Sequence, residues 1–276
     1  MKRPRHFKLK SISGIVLISF VIFGVTLMAY NRTMRRSTIT NGPVLRVVDG
    51  DTVVLKDGRR LRLLGINTPE HGEVGADKAR DFVRAFVAKG GLRLKTMGRH
   101  DYYHRVLGDL IRVTKSLCEE LVKNGLAHVM LIPPYNRARA DRLLAAQDKA
   151  RAGHLGIWKT RRYRHKLHIT TFKTNRHKRI GRGYLRLANI AAMPVNTDGY
   201  FISNGKRMLR LPGCNIPRGE SVIISANRGR TRCKKGRKLR INLGNPAFFG
   251  KGKARVIIIK AGPDHEIIDK VSAHRL

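Results

Sequence analysis

Hydrophobic and polar residues alternate from about residue 44 to 66, and this period of two predicts β-strands. The dipeptide Asp57-Gly58 separates TVVLK from RRLRLL and is a two-residue turn signal, so the two runs are predicted to form a hairpin. The leucines of RRLRLL face one side of the second strand, because successive side chains alternate. Arg62 is therefore predicted to face the other side.

Apolar residues recur at helical spacing from about residue 75 to 89 and predict an amphipathic helix that ends at a Gly-Gly pair. Two strands are predicted next, near LRLKTM and RVLGDLIRV. Ser116 and Glu119 form a capping-box pattern before a short helix, and a last helix is predicted over residues 137–152. This order of strands and helices indicates an α+β domain.

The composition changes between residues 159 and 182, which contain ten Lys or Arg, three His and no acidic residue. Such a run is typical of a solvated linker or a segment that contacts phosphates. The strand-like runs YLRLANI, SVIISAN and RVIIIK follow, separated by Gly, Pro and Asn, as in a small β-sandwich. We therefore predict two domains, residues 43–160 and 183–276, joined by a basic linker over residues 161–182.

The chain is strongly basic, with 58 Lys and Arg against 18 Asp and Glu and a net charge of +40. Such a charge attracts polyanions, so nucleic acid is the first candidate partner and anionic lipid the second. A generally basic proteome is the alternative explanation. Residues 227–240 hold eight Lys or Arg in fourteen positions, which indicates either a contact with nucleic acid or an anionic surface, or a solvated hairpin.

The first ten residues contain five Lys or Arg, and residues 12–30 are apolar and uncharged. As a helix, this apolar segment comes close to spanning a hydrocarbon core of ~30 Å. We therefore expect residues 1–36 to form a basic cytoplasmic tip and a transmembrane helix, with the rest of the chain outside the cytoplasm at the cell membrane. A cleaved signal peptide, which would make the protein secreted, is the alternative.

The three cysteines, Cys118, Cys214 and Cys233, lack the close spacing of a zinc site. Cys118 falls inside a predicted helix, where a buried thiol is expected. Cys214 and Cys233 share the C-terminal region and could pair in an oxidising compartment, but the sequence leaves this open.

Residues 47–70, VVDGDTVVLKDGRRLRLLGINTPE, contain the residue types that phosphodiester cleavage requires. The reaction needs positive charge at the phosphoryl group, a base for the attacking water and oxygen ligands for any divalent metal. Asp51 and Glu70 are accessible carboxylates in this segment, and Arg62 can bind a phosphate through two hydrogen bonds. The spacing alone is weak evidence, because a DGD turn and a surface arginine are common.

Five motifs, VVDGDT, RLLGINTPE, DYYHR, ELVKNGLA and a closing GIW, occur in one order across residues 43–160. Together they resemble the staphylococcal, or thermonuclease-like, nuclease family. The resemblance implies an OB-fold barrel packed with helices. It also implies a nuclease that hydrolyses DNA and RNA, with calcium in the best-studied case, and leaves 3′-phosphate products.

The resemblance implies a metal site and a catalytic base. Asp51 matches the first calcium-binding aspartate of the family, and Thr68 matches a threonine whose main-chain carbonyl binds the ion. Asn67 stands where the family has a second aspartate, so the site keeps an oxygen ligand but loses a negative charge. We therefore predict weakened or altered binding of Ca²⁺ or another divalent ion. Glu70 matches the glutamate proposed as general base for the water.

The resemblance also implies a site for the substrate's phosphates. Arg62 and Arg105 match the two arginines that bind the scissile phosphate and stabilise its developing charge. Tyr103 matches a tyrosine that donates a hydrogen bond to a neighbouring phosphate. His104, between Tyr103 and Arg105, replaces a glycine of the family and is interpreted as a bystander.

The C-terminal runs YLRLANIAAMPVNTDGYFISNG, IPRGESVIISA and RVIIIKAGPDHEIIDKV resemble the lamin-tail domain, an immunoglobulin-like β-sandwich.

From the nuclease resemblance and the N-terminal segment, the predicted function is a metal-dependent endonuclease of DNA and RNA at the outer side of the membrane, with no protein partner. The alternative is a nucleic-acid-binding or scaffold protein that kept the fold and lost hydrolysis through Asn67.

Overall fold

The computed structural model of the chain describes residues 44–177, 181–234, 236, 238–249 and 256–272. The predicted transmembrane segment lies outside these ranges. Within them, none of the helices is both long and apolar enough to cross a membrane.

The strands of the first domain are, in chain order, β1 (Val44–Val47), β2 (Thr52–Leu55), β3 (Arg60–Leu63), β4 (Ile66–Asn67), β5 (Leu92–His100), β6 (Val106–Arg112), β7 (Lys115–Ser116) and β8 (His128–Val129). The main sheet has the order β1-β2-β3-β6-β5, with β7 paired to β6, and β4 pairs separately with β8. β3 and β6 run parallel, while the other neighbours run antiparallel. Five main strands agree with the OB-fold that the resemblance implies. The predicted hairpin is confirmed, because β2 and β3 pair across the turn.

Three α-helices are present in the part of the first domain that the structure describes: α1 (Ala76–Ala88), α2 (Leu117–Lys123) and α3 (Arg137–Ala152). All three predicted helices are confirmed. The Ser116 side chain accepts a hydrogen bond from the Glu119 N–H at 3.1 Å, which is the predicted N-terminal cap of α2. Helix and strand side chains share one hydrophobic core, which includes Leu61 of β3, Val83 of α1 and Leu121 of α2.

The strands of the second domain are β9 (Leu167–His177), β10 (Gly181–Asn189), β11 (Val195–Asn196), β12 (Tyr200–Ser203), β13 (Met208–Arg210), β14 (Asn215–Ile216), β15 (Ser221–Ser225), β16 (Arg232–Lys234), β17 (Leu239–Asn242), β18 (Val256–Ala261) and β19 (Glu266–Ser272). One sheet has the order β16-β17-β15-β10-β9 and the other has the order β13-β12-β18-β19. Both contribute to one hydrophobic core, with Leu185 and Ile224 from the first sheet and Ile202 and Ile259 from the second. Two sheets around one core form the predicted β-sandwich, whereas the lamin-tail resemblance stays a prediction.

The structure corrects the prediction of a basic linker over residues 161–182. β9 is hydrogen-bonded along β10 and forms the edge of the larger sheet of the sandwich. The prediction relied on the positive charge of the segment and overlooked its alternation. Leu167 and Ile169 are buried in the sandwich core, because every second side chain of a strand faces the same side. Before the strand, Tyr163 is also buried, at the end of a short 3₁₀ turn.

A disulfide joins Cys214 and Cys233, with their Cα atoms 5.5 Å apart. This decides the pairing that the sequence left open. Cys118 is a free, buried thiol in α2, as expected from its position on the apolar side of a helix.

The two domains pack together through a small hydrophobic cluster. It joins Ala150 of α3 and the nearby Trp158 to Tyr163, Ala188 of β10 and Ile190, all of them buried. The same strand buries alternate leucines in the sandwich core, so one face of β10 serves the sandwich and the other covers the first domain.

Hydrogen bonds and an ion pair extend this domain interface. The Leu131 N–H donates to the Gly219 carbonyl at 2.7 Å, and the Tyr135 hydroxyl donates to the Glu220 carboxylate at 2.7 Å. Arg218 and Asp148 form an ion pair at 2.5 Å. The second domain is thus held against the first by both apolar and polar contacts.

Candidate active site

An ion pair between Asp51 and Arg62 forms the centre of the candidate site. Arg62 lies opposite Thr52 in the β2–β3 hairpin, on the side away from the buried leucines of its strand, as predicted. Its Nη2 lies 3.0 Å from Asp51 Oδ2, and only 12% and 11% of the two side chains are exposed. Because little water screens such a pair, the guanidinium is held in place before any phosphate binds.

Asn67 and Thr68 adjoin the same carboxylate. The Thr68 N–H donates to Asp51 Oδ2 at 3.1 Å, and Arg62 Nη2 donates to Asn67 Oδ1 at 3.1 Å. Asn67 Nδ2 donates in turn to the Thr68 carbonyl at 3.1 Å. Gly50 permits this close approach, because a Cβ atom there would lie 2.8 Å from the Thr68 side chain. The three predicted metal ligands are therefore neighbours in space.

Glu70 lies just beyond this centre, two residues after Thr68; part of the residue is exposed, and its carboxyl is close enough to Asp51 and Arg62 to be affected by both charges. Its pKa is raised to about 7, first by loss of solvent around the carboxyl and then by the negative charge of Asp51, while Arg62 acts in the opposite direction. Burial and the charge of Asp51 also raise the pKa of Asp49, whose carboxylate accepts the Asp51 N–H at 2.9 Å. A carboxylate that titrates near neutral pH suits a general base.

The loop that carries Glu70 is held from the second domain. The Glu70 N–H donates to Glu73 Oε2 at 2.9 Å, and Arg162 Nη1 lies 2.5 Å from Glu73 Oε1. Arg162 Nε also donates to Oδ1 of Asp269, a buried residue of β19, at 2.9 Å. Arg162 therefore links the candidate base loop to the sandwich.

Arg105 and Tyr103 form a second group in the turn between β5 and β6. Arg105 Nε donates to Asp101 Oδ2 at 2.8 Å, and the guanidinium carbon lies 5.5 Å from the centroid of the Tyr103 ring. Parallel pairing sets Val106 beside Leu61, one residue before Arg62. The turn therefore adjoins the strand that carries Arg62, while each of the two arginines pairs with its own aspartate.

His104 has a left-handed backbone, with a φ of 59°. Its N–H donates to the Asp101 carbonyl at 3.2 Å in the same turn. This conformation favours glycine, the residue that stands at this position in the nuclease family that the sequence resembles. A side chain there costs roughly 1–2 kcal/mol. His104 thus keeps the turn that positions Arg105.

The structure brings together Asp51, Arg62, Asn67, Thr68 and Glu70 at one point, with Tyr103 and Arg105 in the adjoining turn. Tyr184 and Arg186 of β10, which no sequence motif indicates as site residues, lie on the face of that strand that covers the first domain. Tyr184 Oη lies 3.4 Å from Tyr103 Oη, and Arg186 lies close enough to Arg62 for the charge of one to affect the pKa of the other. The alternation in YLRLA could have identified an outward face, but not the surface it meets.

The donor set of the centre fits a hard divalent cation. A carboxylate, an amide oxygen and a main-chain carbonyl, from Asp51, Asn67 and Thr68, are the oxygen ligands that Ca²⁺ and Mg²⁺ prefer. Their charge is low: within the described ranges, no three His, Cys, Asp or Glu side chains are grouped as a metal site. The residues therefore fit the cation by ligand type and offer it a single negative charge.

Comparison with known families matches residues 60–160 to the family described as staphylococcal nuclease homologue. The matched range contains the site residues from Arg62 to Arg105. Asp51 precedes the matched range and lies in the turn between β1 and β2 of the same sheet.

Individual relatives agree with this match. The chain is 27% identical to a thermonuclease of Staphylococcus hyicus over 159 residues, which cover 52% of this chain and 94% of that protein. It is 31% identical over 123 residues to an uncharacterized endonuclease of Escherichia coli, covering 43% of this chain and 76% of that protein. It is 29% identical over 133 residues to endonuclease YncB of Bacillus subtilis, covering 44% of this chain and 62% of that protein.

Proposed function

The chain belongs to the staphylococcal nuclease homologue family and is a nuclease, and from this premise we propose that it is a metal-dependent endonuclease that cleaves DNA and RNA to 3′-phosphate products. The observation that carries the proposal is the ion pair of Asp51 and Arg62, with Glu70 close enough for both charges to affect its pKa. They supply an oxygen ligand, a fixed guanidinium and a carboxylate with a pKa of about 7. A protein that only bound nucleic acid would have no need of the two carboxylates.

In the proposed reaction, Arg62 and Arg105 act on the phosphate and Glu70 acts on the water. Arg62 and Arg105 bind the phosphate oxygens, on which negative charge grows as water attacks, and so stabilise the transition state. Glu70 accepts the proton of the attacking water. As the new bond from water oxygen to phosphorus forms, the bond from phosphorus to the 5′-oxygen breaks, and the leaving oxygen takes a proton from solvent. A divalent ion held by Asp51, Asn67 and Thr68 would add positive charge at the phosphoryl group as a Lewis acid.

A cleft lined by basic residues is consistent with a polymeric nucleic-acid substrate. Its volume is about 500 Å³. The basic insertion at residues 227–240 supplies four of its lining residues, and the remainder come from the first domain. The lining residues are Arg99, Pro133, Pro134, Lys234, Gly236, Lys238 and Arg240. Such a row of cations attracts a phosphate backbone without regard to base sequence.

The proposal includes a position outside the cytoplasm, at the membrane through residues 12–30. The disulfide between Cys214 and Cys233 supports it, because disulfides persist in oxidising compartments and are rare in the cytosol. Cleavage of the N-terminal segment would give a secreted form of the same enzyme.

We expect the purified full-length protein to cleave single-stranded DNA and RNA in the presence of Ca²⁺ and to lose this activity in a chelator. Because one of the three proposed ligands, Asp51, is a carboxylate, we expect high metal concentrations to be needed. Gel analysis of end-labelled substrates with Ca²⁺, Mg²⁺, Mn²⁺ or no ion is the measurement, and mass spectrometry of the products identifies the phosphate end. Equal cleavage with and without chelator would refute metal dependence.

Replacing Asn67 with aspartate is expected to lower the Ca²⁺ concentration for half-maximal activity by at least about tenfold, because it adds a negative charge beside Asp51. Metal titrations of the cleavage rate provide the measurement. Asn136→Asp is the matched control, because it adds the same charge at the N-cap of α3, where aspartate is an equally good cap. An unchanged midpoint in Asn67→Asp would show that residue 67 is not a metal ligand.

A further inference from the structure

Arg186 of the second domain faces the nuclease domain. Its neighbours Leu185 and Leu187 are fully buried in the sandwich core, so the side chain of Arg186 points to the opposite face of β10. Ala188, two residues further along that face, packs with Trp158 of the first domain. The face of β10 that carries Arg186 is therefore the one that covers the nuclease.

Arg186 has no carboxylate partner. Its Nη1 donates to Ser221 Oγ at 3.0 Å. All 18 Asp and Glu of the sequence lie within the described residues, and none of them forms an ion pair with Arg186. Arg62 and Arg105, in contrast, are each paired with an aspartate. A partly buried guanidinium without an anion is costly, so this position favours the binding of an anionic ligand.

The surroundings of Arg186 are suited to such an anion. Burial lowers the pKa of its guanidinium, the nearby Tyr184 and Tyr103 act in the opposite direction, and the positive charge of Arg62 lowers it again. Positive charges in a poorly solvated place repel, and a bound anion would relieve the repulsion.

Two tyrosine hydroxyl groups lie beside the same position. Tyr184 is two residues before Arg186 on the same face of β10, and its hydroxyl lies 3.4 Å from that of Tyr103. Burial raises the pKa of Tyr184, so its hydroxyl stays protonated and can donate a hydrogen bond. Tyr103 in turn lies under the guanidinium of Arg105. Arg186 thus shares a strand face with Tyr184, whose hydroxyl lies beside that of Tyr103 in the turn that carries Arg105.

We propose that Arg186, together with the hydroxyl groups of Tyr103 and Tyr184, binds a second backbone phosphate of the nucleic-acid substrate, next to the phosphate held by Arg62 and Arg105. The inference rests on the proposed function. A phosphate oxygen would receive charge-assisted hydrogen bonds from the guanidinium, which are stronger than neutral ones. The second domain is then a wall of the substrate site as well as a source of basic surface.

The test uses the full-length protein and a labelled single-stranded DNA oligonucleotide, with binding measured by fluorescence anisotropy in chelator at several salt concentrations. Arg186→Gln is expected to raise the dissociation constant roughly tenfold, as for the loss of one hydrogen bond to a charged group. It is also expected to make the slope of log affinity against log salt shallower by about 0.7, because one phosphate contact is lost. Arg210→Gln is the matched control in the same domain, since Arg210 is exposed and paired with Asp198.

Two further variants separate recognition from folding. Arg186→Lys keeps the charge and is expected to retain part of the affinity and the full salt slope. Tyr184→Phe keeps the packing and removes one donor, and it is expected to weaken binding about threefold even if Arg186→Gln fails to fold. In cleavage assays with divalent ion, Arg186→Gln is expected to raise KM for the oligonucleotide and to leave kcat near that of the unmodified protein.

Two results would overturn the proposal. One is binding by Arg186→Gln and Tyr184→Phe that matches Arg210→Gln in both affinity and salt slope. The other is tighter binding or faster cleavage by Arg186→Gln, which would mean that the sandwich obstructs the site. Because binding is measured without metal, a protein that binds but never cleaves would refute the proposed mechanism and leave the Arg186 result readable.

Discussion

Replacing Arg62 with glutamine is expected to lower kcat about 10²–10³-fold, which is the usual loss when one preorganised donor to a transition-state oxyanion is removed. The ion pair with Asp51 at 3.0 Å and a hydrogen bond to the Leu63 carbonyl at 2.8 Å hold the guanidinium beside the site before substrate binds. Single-turnover cleavage of a labelled oligonucleotide isolates this chemical step from product release.

Two controls, a matched variant and thermal unfolding, together with the pH profile make the Arg62→Gln result specific. Arg59→Gln removes an arginine from the same hairpin, where Arg59 is exposed and paired with Asp57. The pH profile of residual activity should also move to higher pH, because Arg62 lowers the pKa of Glu70 and its removal leaves Asp51 to raise that pKa further. Thermal unfolding must show that Arg62→Gln is still folded at the assay temperature. Activity equal to that of Arg59→Gln would exclude Arg62 from the reaction.

Replacing Glu70 with glutamine is expected to lower kcat/KM about 10²–10⁴-fold, which is the usual contribution of a general base. In the unmodified protein, only the ionised carboxylate can accept the proton of water. Its pKa of about 7 therefore predicts that kcat/KM falls tenfold per pH unit below neutrality. Profiles of kcat/KM from acidic to alkaline pH should show this limb, and Glu70→Gln should lack it.

Stability gives an independent check on the same carboxyl. Because its folded-state pKa is raised above the ordinary value of 4.5, the folded protein binds this proton more tightly than the unfolded chain. The associated stability is fully present below pH 4.5 and is lost as pH rises through about 7. Glu70→Gln should therefore melt no lower than the unmodified protein at alkaline pH, although it is inactive.

Glu119→Gln serves as the control for Glu70→Gln, because Glu119 pairs with Arg142 in another part of the first domain. It should keep both the activity and the acidic limb of the profile. Retention of activity by Glu70→Gln itself would mean that another group activates the water.

Local cues in the sequence were sufficient for most of the nuclease domain. The Asp57-Gly58 turn and the Ser116 cap each act over a few residues, so pattern alone located the hairpin and the start of α2. The adjacency of Asp51 and Thr68 could not be derived in this way, because it depends on a contact across seventeen positions of the chain. The resemblance to a nuclease family supplied it.

Contacts between the domains could not be predicted, because they join residues far apart in the chain. Arg162 belongs to the segment that the charge pattern predicts as a linker. In the structure it pairs with Glu73 and with Asp269, at sequence separations of 89 and 107. The strand pattern of β10 predicts which side chains point outward, among them Arg186, but not what those side chains contact. The positive charge of residues 161–182 predicts a solvated segment. In the structure, burial of alternate residues makes part of this segment the strand β9.

The bridge formed by Arg162 shows that sequence similarity and physical independence divide this chain at different places. The match to the nuclease family ends at residue 160, two positions before Arg162. A fragment cut at that point would lose the cation of Glu73 and the cover over Trp158. The contacts that support the loop carrying Glu70 therefore extend beyond the segment matched to the family, as far as Asp269 of the sandwich.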